Sequence, residues 1–254
     1  MFYIFRVSDF YDANPQVVVK LNTIKCMDCL EYFRELPDNC VDLVVTDPPY
    51  NISRKQDLVF EGRHIRKNFG EWDYGFDPVP VMKELKRVLK PTGQIYVFCS
   101  TEQIPIYMRI FQDGWFFRNL LVWSKTNPPP RLSKTNWVFA NEYILYAINE
   151  KVKCNMITFN FPSQGVMKNI FITAALLGVE RLRKSEGGAL HPTQKPLAVL
   201  KRLIEASSKP GDIVLDPFMG VSSTAVAAQQ TGRRFLGCDI DETFVRHALE
   251  RLSR

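Results

Sequence analysis

The sequence predicts an α/β fold built on a doubly wound, mostly parallel sheet, and three observations carry that prediction. Short β-rich runs alternate with helical stretches along the chain, a pattern that sets helices on both faces of a parallel sheet. Val41 to Thr46 (Val-Asp-Leu-Val-Val-Thr) is almost continuously apolar, as a strand covered on both faces must be. Residues 79–90 and 196–207 carry apolar side chains at helical spacing. In the first of these, Val81, Met82, Leu85, Val88 and Leu89 share a face opposite Lys83, Glu84, Lys86 and Arg87. In the second, Leu197, Leu200, Leu203 and Ile204 face inward.

The punctuation between these runs assigns the other elements. Pro91 and Gly93 end the first helix, and Gln94 to Cys99 is the next strand. Phe117 to Trp123 and Tyr143 to Ala147 are two more. Pro210-Gly211 breaks the second helix, and Ile213-Val214-Leu215 follows as a strand. Ser222 or Ser223 can cap the helix that begins there, Gly232 ends it, Arg234 to Cys238 is a strand, and Asp241 caps the last helix. Two stretches fall outside the alternation. Residues 51–73 are polar and basic, and residues 124–140 hold Pro128-Pro129-Pro130 among cations and asparagines. Long irregular segments in an α/β domain commonly serve function.

Composition narrows the class of protein. The chain has 254 residues, 46% hydrophobic and 24% charged, which suits one globular catalytic domain spanning 1–254. No apolar run is long enough to span a membrane, and the apolar start Met-Phe-Tyr-Ile-Phe is interrupted by Arg6, Asp9 and Asp12, so a cytoplasmic location is expected. The net charge of +6 is compatible with a polyanionic partner. Cys26 and Cys29 form a C-x-x-C without a second pair, and His64, His191 and His247 are far apart, so no metal site is expected and the cysteines are read as packing residues.

Two strand-loop-helix junctions carry chemistry. Asp47-Pro48-Pro49-Tyr50 directly follows the buried 41–46 strand, and ligands of open α/β sheets bind beyond the carboxyl ends of the strands. The prolines fix the backbone and remove two N–H donors. The tetrapeptide thus offers a carboxylate, an acceptor carbonyl and an aromatic face, a set suited to a planar ring bearing an NH₂ group. Asp216-Pro217-Phe218-Met219-Gly220 is the second junction, followed by Ser222, Ser223 and Thr224 at a helix start. An acid ends its strand, and Gly220 permits close backbone approach. The next strand ends at Asp239, where an acid can hold two ribose hydroxyls. The loop lacks the three-glycine spacing that a pyrophosphate needs.

These motifs together resemble the β class of S-adenosylmethionine-dependent DNA amino-methyltransferases, from about residue 22 to the end. Asp47 to Tyr50 matches that family's D/S/N-P-P-Y/F/W motif, and Asp216 to Gly220 matches D-P-F-x-G. His191-Pro192-Thr193-Gln194-Lys195-Pro196 matches H-P-T-x-K-P, and Cys26-Met27-Asp28-Cys29-Leu30 looks like the G-D-C-L segment. The order is catalytic motif, recognition segment, cofactor motif. The resemblance implies a circularly permuted methyltransferase sheet of seven strands, with Asp47, Pro48, Pro49 and Tyr50 catalytic. It implies a cofactor pocket of Asp28, Cys29, His191, Thr193, Lys195, Asp216, Phe218, Gly220, Ser222, Thr224 and Asp239. In that assignment Asp239 holds the ribose, Asp28 the adenine amino group and Asp216 the methionine amino group, while Lys195 and Thr193 face its carboxylate. The chain departs from the family at Ser222, where a glycine is usual and a positive φ would carry a steric cost, and at Met27.

What the resemblance implies about substrate is double-stranded DNA carrying a flipped-out adenine, methylated at N6. Cytosine N4 methylation is the nearest alternative, although that group usually has serine where Asp47 stands. A catalytically silent DNA-binding relative is another, and glutamine-modifying relatives usually carry N-P-P-Y with the motifs in the opposite order. Residues 124–140, extending if needed into 151–190, are the expected target-recognition segment, with Asn127, Arg131, Lys134 and Asn136 reaching base edges. Arg54, Lys55, Arg63, Arg66 and Lys67 on the 51–73 stretch would pair with phosphates as that loop closes on DNA. No membrane partner is expected. A homodimer and a cognate restriction endonuclease are the protein partners that the resemblance implies.

Overall fold

The computed structural model describes residues 19–51, 58–60, 63–65, 73–130, 135–176, 180–183, 190 and 193–253, and for 58–60, 63–65 and 154 the backbone alone. The strands are β1 (Thr23–Cys26), β2 (Val41–Thr46), β3 (Leu58–Phe60), β4 (Arg63–Ile65), β5 (Leu89–Cys99), β6 (Trp115–Lys125), β7 (Asn141–Asn149), β8 (Ile170–Thr173), β9 (Ile213–Asp216) and β10 (Arg234–Asp239). The helices are α1 (Cys29–Arg34), α2 (Pro78–Val88), α3 (Ile104–Ile110), α4 (Leu197–Ser207), α5 (Ser223–Gln230) and α6 (Glu242–Leu252).

The main sheet has eight strands in the order β1-β10-β9-β2-β5-β7-β6-β8, one more than the seven that the resemblance implies. The additional strand is β8, whose Ile-Phe-Ile-Thr run pairs with the end of β6. Every strand runs parallel to the others except β7, which is antiparallel to both β5 and β6. The carboxyl ends of β1, β10, β9, β2, β5 and β6 therefore share one edge with the amino end of β7.

Both faces of the sheet are covered. Tyr32 and Phe33 of α1, Val81 and Leu85 of α2 and Tyr107 of α3 pack on one side against Val44, Val97 and Leu236. Leu200 and Leu203 of α4, Ala225 of α5 and Val245 of α6 pack on the other against Val45, Phe98 and Val214. Successive strand residues thus alternate between two cores, which is why β2 reads as a continuous apolar run.

Several boundaries differ from the sequence reading. Leu89 leaves the α2 helix and starts β5, and the register shift opposite Val41 and Leu43 accommodates residues 90–93. The 51–73 stretch contains an antiparallel hairpin, β3 paired with β4 (Leu58↔Ile65), where irregular chain was expected. Ser222 occupies the cap position of α5, but at φ 64, ψ 32 its side chain makes no capping bond; Asp241 does cap α6, accepting from the Thr243 and Phe244 amides. The serine at a glycine position therefore carries the positive φ anticipated from its sequence context.

Candidate active site

A cavity of about 230 Å³ opens at the carboxyl edge of the sheet, lined by the residues that follow β1, β2, β9 and β10. Asp28 and Cys29 enter it after β1, Asp47 to Tyr50 after β2, and Asp216 to Val221 after β9, with Asp239 and Ile240 closing it at β10. The parallel strands bring these about because the pairs Thr23↔Leu236, Gly237↔Asp216 and Val44↔Leu215 put their ends level. Residues at opposite ends of the sequence thereby meet.

At the β9 end, Asp216 is buried and accepts from neutral donors: the Thr46 and Thr224 hydroxyls at 2.9 and 2.7 Å and the Phe218 amide at 3.1 Å. Burial pushes its carboxyl up to about 7, against the pull of these bonds. A buried carboxylate so placed suits a cationic ligand group. Asp239 accepts from the Gly220 amide at 2.7 Å and the Asp241 amide at 2.9 Å, so it holds the loop as well as lining the cavity. Asp28 caps α1 through Oδ1, accepting from Leu30 and Glu31. Phe218 meets Phe76 edge-on, ring centroids 5.3 Å apart, and the two form an aromatic wall. Thr193 and Thr224 also line the cavity. Ser222 does not: it is fully buried, and its hydroxyl points at the Ala248 carbonyl 3.5 Å away.

The catalytic-motif loop is pinned from several sides. The Asp73 carboxylate accepts from the Tyr50 and Asn51 amides, both at 2.9 Å, and the Gln103 amide group donates to the Pro49 carbonyl at 2.8 Å. Asn51, at φ 54, bonds Phe76 through both its amide groups. Tyr50 donates its hydroxyl to Asp47 Oδ1 at 2.7 Å. Asp47 Oδ2 pairs with the Lys195 ammonium, which is 5% exposed and also lies 3.3 Å from Glu142 Oε2. Glu142 Oε1 in turn pairs with Lys125 at 2.5 Å. The Lys195 ammonium stands over the rings of Tyr50 and Phe98 at 5.4 and 5.3 Å.

Electrostatics in this cluster follow from burial and pairing. Burial raises the Asp47 carboxyl above its ordinary value, and Lys195 pulls it part of the way back. Glu142 is also raised by burial, but Lys195 and Lys125 overcome that and hold it below the usual carboxylate range. Burial alone would lower the Lys195 ammonium, yet its two carboxylates keep it raised. Burial and the Asp47 charge push the Tyr50 hydroxyl well above its ordinary value.

Sequence reasoning placed Lys195 at the cofactor's carboxylate; here its ammonium joins the catalytic-motif acid. Glu142, Lys125, Asp73, Gln103 and Phe76 escaped it altogether. The signal for Glu142 was available in principle, since an acid at the amino end of an antiparallel strand lies at the same edge as the acids ending parallel strands. Asn127 donates to and accepts from the Ala175 backbone, at 3.3 and 2.6 Å, so its polar atoms fasten two loops where base contact was expected. Asn136 is exposed and accepts from the Trp137 amide. Arg54, Lys55, Arg66, Lys67, Arg131, Lys134 and His191 lie outside the described residues, as does the Arg63 side chain.

A strand-end cavity with one acid poised for a cationic ligand group and a second acid beside a Pro-Pro-Tyr turn defines a group-transfer enzyme acting on an amine. The match to the family model described as DNA methylase runs over residues 41–250, and the chain belongs to that family. It is 33% identical to the Type II methyltransferase M.HinfI of Haemophilus influenzae, over 91% of this chain and 68% of that protein. It is 30% identical to the Type II methyltransferase M2.DpnII of Streptococcus pneumoniae, over 96% of this chain and 91% of that protein. Among solved structures, M1.HpyAVI in complex with SAM superposes with a TM-score of 0.70 at 26% identity, covering 91% of this chain and 99% of the other. The cytosine-N4-specific PvuII methyltransferase shares the fold at 17% identity, with a TM-score of 0.70 over 92% of this chain and 87% of the other.

Proposed function

We propose that this DNA methyltransferase transfers a methyl group from S-adenosylmethionine to N6 of an adenine flipped out of double-stranded DNA. The observation that carries the adenine reading is Asp47, an acid where cytosine N4 enzymes usually have serine, set between Tyr50 and Lys195 at the mouth of the cofactor cavity.

The cavity fits the cofactor. Asp216 would take its amino group, because a carboxylate raised by burial gains most from a cation. Asp239 would accept from the ribose hydroxyls, Asp28 with Cys29 would border the adenine, and the Phe76–Phe218 wall would pack along the adenosine. Bound there, the cofactor supplies an electrophilic methyl group on a sulfonium. The amine of adenine is a poor nucleophile because its lone pair is delocalised into the ring. The Asp47 carboxylate and the Pro48 carbonyl accept its two hydrogens and favour a localised lone pair. Tyr50 stacks on the flipped ring. Rate then derives from positioning and preorganised charge.

Recognition of the DNA sequence is assigned to residues 124–140, with 151–190 as the adjoining candidate, and phosphate pairing to the cations of 51–73. Among the described residues no helix is long and apolar enough to cross a membrane, which supports a cytoplasmic setting for an enzyme whose substrate is DNA. The Type II relatives support a restriction endonuclease as a partner. The exposed Ile170 and Ile172 on the edge strand β8 support pairing with a second copy, checked by light scattering on the eluting protein.

Mass analysis of nucleosides from unmethylated plasmid DNA treated with enzyme and cofactor tests the chemistry. N6-methyladenine is the expected product, and N4-methylcytosine in its place would overturn the adenine reading. Asp47→Ala should lower transfer by at least about 100-fold and leave cofactor affinity within about threefold, because the lost carboxylate serves the amine.

A further inference from the structure

Asp47 meets its substrate with both oxygens engaged. Oδ1 accepts from Tyr50 at 2.7 Å, and Oδ2 pairs with Lys195. A carboxylate has about four lone-pair sites, but a lysine with one buried carboxylate partner forms a tight pair that an amine hydrogen displaces poorly. Glu142 changes that situation. Its Oε2 lies 3.3 Å from the Lys195 ammonium and 3.5 Å from the Tyr50 hydroxyl, so it faces the same two donors that Asp47 holds. Its other oxygen is anchored by Lys125. Two carboxylates and two ammonium groups make the cluster neutral, so Lys195 can lean from one acid to the other without leaving a buried charge unpaired.

We propose that Glu142 is a positioning residue for methyl transfer, sharing Lys195 and Tyr50 with Asp47 so that the Asp47 carboxylate is released to the target amine. The proposal rests on the methyl-transfer function described above. The sheet explains the arrangement: β7 runs opposite to its neighbours, so its second residue lies at the edge where β2 and β6 end. Lys125, the last residue of β6, and Glu142 therefore flank the Asp47 loop from the far side of the sheet.

The titratable and charged groups facing Asp47 are Lys195 before α4, Glu142 on β7 with Lys125 behind it on β6, Tyr50 on its own loop, Cys99 on β5, Tyr107 on α3 and Asp216 on β9. Glu142→Gln removes a negative charge and leaves Lys195 to Asp47 alone. Asp47 then titrates lower and holds Lys195 harder. Lys125→Met does the reverse, because an unpartnered Glu142 draws Lys195 away from Asp47.

The test is the pH profile of kcat for the full chain with S-adenosylmethionine and unmethylated plasmid DNA. In Glu142→Gln the acid limb should move down by about one pH unit or more, with plateau kcat reduced about tenfold and KM for DNA within about threefold. In Lys125→Met the acid limb should move up. Limbs that stay in place, or that move in the same direction in both variants, overturn the proposal, as does a loss confined to KM. Glu142→Asp, which keeps the charge, should hold its limb near the wild-type position even if the Gln variant folds poorly, and a limb displaced like that of Gln would be equally fatal. A wild-type enzyme that methylates no DNA overturns the methyl-transfer reading and the proposal with it, whereas an active wild type with unmoved limbs overturns the proposal alone.

Discussion

Asp216 sits where a carboxylate is hard to ionise: it is buried at the end of β9, with neutral donors around it. Its carboxyl is pushed up to about 7, mainly by burial, from an ordinary value of 3.8. The sign for stability follows. The proton is held more tightly in the folded chain, so this group's contribution is fully present below pH 3.8 and is lost as pH rises through about 7. A ligand ammonium beside the anion reverses that penalty. Cofactor affinity should therefore rise about fivefold between pH 6 and 7.5, with proton release on binding below pH 7. Calorimetry in buffers of different ionisation enthalpy measures both, and Asp216→Asn should flatten the profile; a flat wild-type profile would mean Asp216 does not face the ligand's cation. At this scale the acids ending parallel strands were legible, since Asp47, Asp216 and Asp239 each follow an apolar run directly. The positive φ at Ser222 was legible too, because a serine stands where a glycine is usual. Glu142 was not: the apolar run of β7 begins after it, and nothing local marks the acid as facing Asp47 148 residues before Lys195.

Elements with a long apolar period were read correctly in kind, among them α2, α4, β2, β9 and β10. Those that were missed are short or lie at the rim. The six-residue α1 and seven-residue α3 are too brief to display a helical period, β1 has four residues, and β8 turns Ile170 and Ile172 outward at the sheet edge. The link between elements that matters most for the cofactor is the pairing of β9 with β10. Gly237 lies opposite Asp216, and a Cβ on it would come 2.7 Å from the Asp216 carbonyl and 2.1 Å from the Met219 side chain. Methionine can move aside, but the backbone carbonyl is fixed by the sheet. Gly237→Ala should cost about 1–3 kcal/mol of stability and displace the 216–220 loop enough to weaken cofactor binding about tenfold. Urea unfolding together with calorimetry checks it, and wild-type values in both would show that the strands part without cost.

At the scale of the whole molecule, the chain order of the motifs is resolved by one pairing, β2 beside β9, which joins an early strand to a late one. That leaves the middle of the chain, from β6 to β8, free to vary without disturbing the cofactor cavity. The 126–140 loop leaves and re-enters at the catalytic edge, and its ends are held together by the Ser124↔Asn141 pair, the Lys125 amide to the Ala140 carbonyl at 2.7 Å and the Lys125–Glu142 ion pair. The loop carries Trp137, 89% exposed, beside exposed Val138 and Phe139, an apolar tip that the fold does not use for packing. Since β6 and β7 are already in antiparallel register, an Asn-Gly turn could close them in its place. Replacing residues 127–139 by that turn should leave stability within about 1 kcal/mol, the loss being the Asn127 bonds to Ala175. Cofactor affinity should stay at the wild-type level, while methylation should lose its sequence selectivity or cease. Methylation-sensitive sequencing of treated DNA, with urea unfolding and calorimetry as controls, makes the comparison. A shortened enzyme that still marks the wild-type sites would move recognition out of this loop and toward residues 151–190.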